Sequence, residues 1–123
     1  PEILLILPVK EVHTLGLITA SGIFKKNGVN PFVAVGFSDE EIIELITARD
    51  FKLIGISISN SENVADCIKT AKNIKSRVPC PIPMVIGGQG IKYVSHSKIS
   101  KIFDKITTNP AQALTLIDDH EYN

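Results

Sequence analysis

Short apolar segments and segments of helical pattern alternate along the whole chain, and this alternation restricts the fold more than any other feature. The apolar segments have the length and Ile/Val content of buried strands and cover residues 3–7, 30–36, 52–59, 82–88 and 101–107. The helical patterns cover residues 14–26, 39–49, 61–76, 91–97 and 110–118. Strands that alternate with helices predict a parallel sheet with helices on both faces and right-handed crossovers.

Capping signals agree with these boundaries. Ser38 and Glu41 have the spacing of a capping box before the second helix. The stretch KKNG at residues 25–28 has the composition of a helix end, and Pro110 suits the first turn of a last helix. At 123 residues, five strand–helix pairs favour an α/β fold of the flavodoxin-like (Rossmann-like) kind, a doubly wound five-stranded parallel sheet of order 2-1-3-4-5.

Composition and charge exclude several classes of protein. The chain is 44% hydrophobic and 21% charged, as in soluble domains, and we expect residues 1–123 to form one domain. Because it begins at Pro1 without methionine, we expect a fragment of a longer protein. The formal net charge of zero argues against nucleic-acid binding, and a mildly basic stretch at residues 92–105 is read as a solvated face.

Cysteine use and hydropathy indicate a cytoplasmic protein. Cys67 and Cys80 lie in apolar-leaning stretches without CxxC or zinc spacing, so we expect reduced thiols. No apolar run approaches the roughly 18 residues that a membrane span requires. The sequence contains no recognisable signal peptide.

A ligand is expected at the carboxyl ends of the strands, beside the switch point between strands one and three. Four groups of residues are expected to converge there. They are PVKEVHTLG after strand one, Ser57 and Ser59 at the end of strand three, Gly87 and Gly88 at the end of strand four, and residues 107–109 after strand five. Strand three ends in Ser57 rather than the aspartate of a phosphoryl-accepting receiver domain. The loop after strand one lacks a flavin phosphate site, GGQG at residues 87–90 lacks dinucleotide spacing, and no nucleophilic triad is apparent.

His13 is the candidate metal ligand at this edge. A metal-binding imidazole usually donates its second N–H to a carboxylate, and Glu11 lies two positions before it. Gly16 would allow close approach of a bulky ligand. Structural interpretations remain open, since His13 could be a polar loop residue, the serines could cap a helix and the glycine pair could form a turn.

Three motifs resemble those of cobalamin-binding (vitamin B12-binding) domains, in the same order along nearly the whole chain. Glu11-Val12-His13-Thr14-Leu15-Gly16 resembles the family's DxHxxG motif, with glutamate in place of aspartate. GISIS at residues 55–59 resembles the SxL segment, with Ser59 in place of leucine, and VIGG at residues 85–88 resembles the closing GG.

The segments HTLGL, GIFKKNGV and PAQAL resemble sequences of the family's regulatory branch in photosynthetic bacteria. That branch includes cobalamin-binding antirepressors and the related SCHIC domains, which carry haem. The resemblance implies adenosyl- or hydroxocobalamin bound base-off, with His13 as the lower axial ligand of cobalt. It implies that Ser57 and Ser59 bind the buried base and that Gly87 and Gly88 leave room for the nucleotide tail. It also implies a non-enzymatic module with a protein partner, either a transcriptional repressor or a missing N-terminal segment.

Three alternatives stay open at this point. A haem sensor on the same fold would use His13, His96 or His120 as iron ligand, although His96 and His120 are also read as surface residues. The cobalamin domain of a methyltransferase or mutase would keep its substrate site on another domain. A domain that has lost its ligand would act by protein contacts alone.

Overall fold

Five parallel strands form one sheet in the order β2-β1-β3-β4-β5. The computed structural model describes residues 2–7, 22–58, 61–78, 82–107, 112 and 116–117. The strands are β1 (Glu2–Leu7), β2 (Asn30–Val35), β3 (Phe51–Ser57), β4 (Met84–Gly87) and β5 (Lys105–Thr107). Every neighbouring pair is parallel, so the predicted fold class and strand order are confirmed.

Helices connect the strands. The helices are α1 (Asp39–Ala48), α2 (Val64–Arg77) and α3 (His96–Ile99), with 3₁₀ segments at Ser61–Asn63 and Gln89–Tyr93. Residues 22–26 and 116–117 are also helical, and the rest of the first and last predicted helices lies outside the described residues. Within the described ranges, no helix combines the length and apolar character needed to cross a membrane.

Two predicted elements near the C-terminus were wrong in extent. The strand expected from Lys101 begins at Lys105, because Ile102 and Phe103 are buried in a turn and Asp104 then pairs with Met84. The Asp104 N–H donates to the Met84 carbonyl, and Asp104 Oδ2 accepts from the Met84 N–H, both at 2.7 Å. The single helix expected at residues 91–97 is instead a 3₁₀ segment followed by α3.

The two faces of the sheet carry separate apolar cores, because alternate strand residues point to opposite faces. Leu4 and Ile6 of β1 pack on the face that α1, α2 and α3 cover. Ile3, Leu5 and Leu7 pack on the other face, to which residues 24 and 116–117 contribute. A strand buried on both faces has to be apolar throughout, which explains the uninterrupted sequence of β1.

Ser38 caps α1 as predicted. Its Oγ accepts from the Glu41 N–H, and Glu41 Oε1 accepts from the Ser38 N–H, both at 3.1 Å. The hydrogen bond from the Ser38 backbone holds the pKa of Glu41 below its usual value. Asp39, the first residue of the helix, accepts from Thr70 Oγ1 at 2.7 Å and Asn73 Nδ2 at 2.6 Å. The Ser38–Glu41 cap therefore fixes the start of α1, and Asp39 fixes the contact of that start with α2.

Ser38→Ala should lower the free energy of unfolding by about 1 kcal/mol, because the Glu41 N–H loses the Ser38 Oγ that accepts its hydrogen bond. Urea denaturation at neutral pH measures the change. Ser76→Ala, in the last turn of α2, is the matched control and should stay within about 0.5 kcal/mol of the parent. Equal effects of the two variants would contradict a stabilising role for the cap.

Candidate functional site

Ser57 and Gly87 end neighbouring strands at the same edge of the sheet. They are directly paired in the register of β3 and β4. The topology therefore brings together two of the positions that the sequence analysis placed at a ligand site, at the edge where ligands of such sheets bind.

Three small residues lie side by side on one face of the sheet at this edge. Ser57 shares a face with Gly55, and Gly87 extends that face on β4, since side chains alternate along each strand. We call Gly55, Ser57 and Gly87 the small-residue groove. All three are partly exposed, whereas Leu53 and Val85 on the same face are at most 5% exposed. The small-residue groove is thus more exposed than the neighbouring core.

Gly55 shows how closely this groove is bordered by β1. A Cβ built on Gly55 would lie 3.0 Å from Leu5 Cδ2, so the Leu5 side chain leans over the glycine. A glycine inside a strand pattern often marks such a close approach. Gly55 belongs to the segment GISIS, where no role was predicted for it, and its place inside a strand pattern is the signal that could have indicated this close approach.

The ends of β3 and β4 are joined through the backbone of one residue, Ile58. The Ile58 N–H donates to the Gly87 carbonyl at 2.9 Å, and the Gly90 N–H donates to the Ile58 carbonyl at 2.8 Å. A Cβ on Gly88 would lie 2.3 Å from Ile58 O, so this glycine is required by the protein's own backbone. We call this arrangement of Ile58, Gly87, Gly88 and Gly90 the Ile58 latch.

Several predicted site residues cannot be placed. The motif that contains the candidate axial histidine, Glu11-Val12-His13-Thr14-Leu15-Gly16, lies outside the described residues. The same is true of Ser59, Thr108, Asn109 and His120. His96 begins α3, but its side chain is outside the described part. Among the side chains that are described, no three of His, Cys, Asp or Glu gather into a possible metal site.

The ion pair between Arg49 and Glu2, which shifts the pKa of both groups, lies away from the small-residue groove. At the opposite end of β1, Arg49 donates to Glu2 at 2.8 Å and lies 5.0 Å from the Phe32 ring centroid. That hydrogen bond lowers the pKa of Glu2. The groove and the Ile58 latch consist of uncharged residues. The described part of the site is therefore suited to binding by shape and hydrogen bonding, and it contains no acid or base.

Comparison with solved structures gives three close matches in fold. A cobalamin-binding protein from Desulfitobacterium hafniense DCB-2 superposes with a TM-score of 0.79 at 16% identity over 96% of this chain. The monomethylamine corrinoid protein of Methanosarcina barkeri gives 0.75 at 17% identity over 94%. The methanol:cobalamin methyltransferase complex of the same organism gives 0.78 at 15% identity over 96%. The chain has the fold of these cobalamin and corrinoid proteins.

The match covers only part of those proteins. This chain spans 57%, 55% and 45% of the three structures, about half of their length. No family model matches the sequence, and no curated protein matches it. The relationship therefore rests on the three-dimensional fold.

Receiver domains share this architecture, so the fold alone does not select a ligand. The receiver domain of NtrX from Brucella abortus superposes with a TM-score of 0.60 at 21% identity over 97% of this chain. In the present chain, however, β3 ends in Ser57 rather than an acidic residue. The residues at the carboxyl edge, rather than the fold, have to carry the functional argument.

Proposed function

We propose that this chain is a cytoplasmic regulatory module that binds cobalamin base-off, with His13 as the lower axial ligand of cobalt, and signals through a protein partner. The observation that carries the proposal is the small-residue groove at the carboxyl edge, on a fold shared with cobalamin-binding proteins. A flat heterocycle such as the base of the nucleotide tail needs a surface without bulky side chains.

The residues of the groove fit this cofactor. Gly55 and Gly87 carry no side chain, and Ser57 offers one hydroxyl that both donates and accepts. A single neutral hydroxyl suits a ring nitrogen better than it suits a phosphate, which usually requires backbone N–H groups or basic side chains. Ser59 follows Ile58 in the chain and is proposed to assist Ser57.

His13 supplies the metal ligand in this proposal, and Glu11 its carboxylate partner. The segment from Glu11 to Gly16 follows β1 in the sequence, and β1 is paired with β3. An axial histidine held by a carboxylate has a fixed tautomer and greater basicity. Bound cobalamin would supply a cobalt centre whose upper ligand changes with light, oxygen or redox state.

The residues of the site favour a regulatory role for this chain over a catalytic one. The groove and the Ile58 latch contain no group that could abstract a proton or attack a substrate. Glutamate at position 11, where the family motif has aspartate, also favours a sensor. The corrin ring is larger than one domain of this size can enclose, so we propose that a transcriptional repressor or an additional N-terminal segment covers its upper face.

Absorption titration of the purified chain with hydroxocobalamin in the dark tests this proposal. The parent should shift the cobalamin spectrum, and His13→Ala should remove the shift and weaken binding at least tenfold. His96→Ala and His120→Ala are matched controls and should bind like the parent.

A parallel titration with haemin separates the main alternative. Cobalamin is favoured because three solved structures that superpose with TM-scores of 0.75 to 0.79 are cobalamin or corrinoid proteins. A response to haemin alone would replace the proposal with a haem sensor. Failure of the parent to bind either compound would reject both ligands for this chain.

A further inference from the structure

We infer that Gly90 is a positioning residue for the ligand groove, an inference that rests on the proposed cobalamin site. Gly90 lies three residues beyond the end of β4 and belongs to none of the three motifs. It acts through the Ile58 latch, which determines where the end of β3 lies relative to the loop after β4.

Ile58 is held at three points. Its N–H and its carbonyl are both bonded to the loop that begins at Gly87, at 2.9 and 2.8 Å. Its side chain is 0% exposed within the core that α1 and α2 cover. A residue fixed through both backbone groups and its side chain has little freedom to shift, so its neighbours in the chain are fixed with it.

Gly90 leaves no space beside this residue. A Cβ on Gly90 would lie 2.5 Å from Ile58 Cγ2 and 2.8 Å from Ile58 O. The backbone of Gly90 does not have a positive φ, unlike that of Gly28, Gly36 and Gly88. An alanine at position 90 would therefore be opposed by contact with Ile58 and not by its own backbone conformation.

Displacement of Ile58 would be transmitted to Ser57. The two residues are adjacent, and their side chains point to opposite faces, Ile58 into the core and Ser57 into the groove. Binding hydroxyls have to be held within about 0.5 Å of their working position. Relief of a 2.5 Å contact to an ordinary separation of 3.4 Å or more requires a larger movement than that. Gly90 thus acts on the ligand without touching it.

Gly90→Ala is the test, with Gly28→Ala as the matched control. Gly28 has a φ of 78° and no atom within 4 Å of its Cβ position, so its substitution strains the chain without pushing on the latch. Hydroxocobalamin and hydroxocobinamide, which lacks the nucleotide tail, are titrated against each variant. We expect Gly90→Ala to bind cobalamin at least tenfold more weakly and cobinamide within twofold of the parent, and Gly28→Ala to match the parent for both.

A rescue variant separates positioning from general loss of structure. Ile58→Leu removes the Cγ2 methyl that the alanine Cβ would meet at 2.5 Å but leaves the contact with the Ile58 carbonyl oxygen at 2.8 Å, so Ile58→Leu/Gly90→Ala should regain part, but not all, of the lost cobalamin affinity. If Gly90→Ala does not fold, the double variant is titrated with cobalamin and cobinamide in its place.

Three results distinguish the possible failures. A parent chain that does not bind cobalamin overturns the proposed function itself. If the parent binds and Gly90→Ala binds equally well, Gly90 has no positioning role. Equal losses for cobalamin and cobinamide would assign Gly90 to stability alone and would likewise overturn the inference.

Discussion

Replacement of Ser57 by leucine should weaken cobalamin binding at least 100-fold while the chain remains folded. Ser57 is partly exposed and lies between Gly55 and Gly87 on one face of the sheet. A leucine there would fill the small-residue groove that we propose for the base, yet it would enter no packed core. A 100-fold loss corresponds to about 2.7 kcal/mol. The absorption titration with hydroxocobalamin measures it directly.

Two further variants define the origin of this loss. Ser57→Ala removes the hydroxyl and leaves the groove open, so it should lose only the roughly 0.5–1.5 kcal/mol of one hydrogen bond. Val33→Leu also places a leucine at an exposed position of β2, outside the small-residue groove, and should bind like the parent. Tight cobalamin binding by Ser57→Leu would show that the groove does not hold the base.

Gly88→Ala should reduce the free energy of unfolding by about 3 kcal/mol or more. Gly88 has φ 98° and ψ 167°, a conformation open essentially to glycine alone, which costs other residues about 1–3 kcal/mol. In addition, its Cβ would lie 2.3 Å from the Ile58 carbonyl oxygen, which is backbone and cannot rotate away. Urea denaturation followed by circular dichroism gives the change.

Gly28→Ala provides the comparison for Gly88. It also replaces a glycine of positive φ, at 78°, but its Cβ meets no atom within 4 Å. It should therefore cost only about 1–2 kcal/mol, the ordinary penalty for a left-handed conformation. If the two variants were equally stable, Ile58 would have moved away from the new Cβ at little cost. The Ile58 latch would then not restrain the loops.

Much of the fold followed from local patterns. The apolar sequence of β1 predicted a strand buried on both faces, and Ser38 with Glu41 predicted the start of α1 at its observed position. Alternation of strands and helices then left few permitted topologies, and the order 2-1-3-4-5 was among the most common of these. Such patterns are readable because each depends on residues close together in sequence.

The predictions that failed depended on distant contacts. Ile102 and Phe103 have the apolar character of a strand, but they fill the core beside α3 before the chain joins the sheet. The carboxylate of Asp104 binds the Met84 N–H, twenty residues away, and delays the start of β5. Periodicity cannot distinguish an apolar turn packed in the core from an apolar strand.

For the candidate site, too, some features were predictable from local sequence and others depended on distant contacts. The sequence by itself determined which residue types arrive at the carboxyl edge, because the ends of parallel strands meet there whatever the details of packing. Only the tertiary structure decided that Gly55, Ser57 and Gly87 share one partly exposed groove and that Gly88 and Gly90 fit against Ile58. The reason is physical: register between strands and the space beside a backbone arise from contacts between segments far apart in the chain, and no local pattern encodes them.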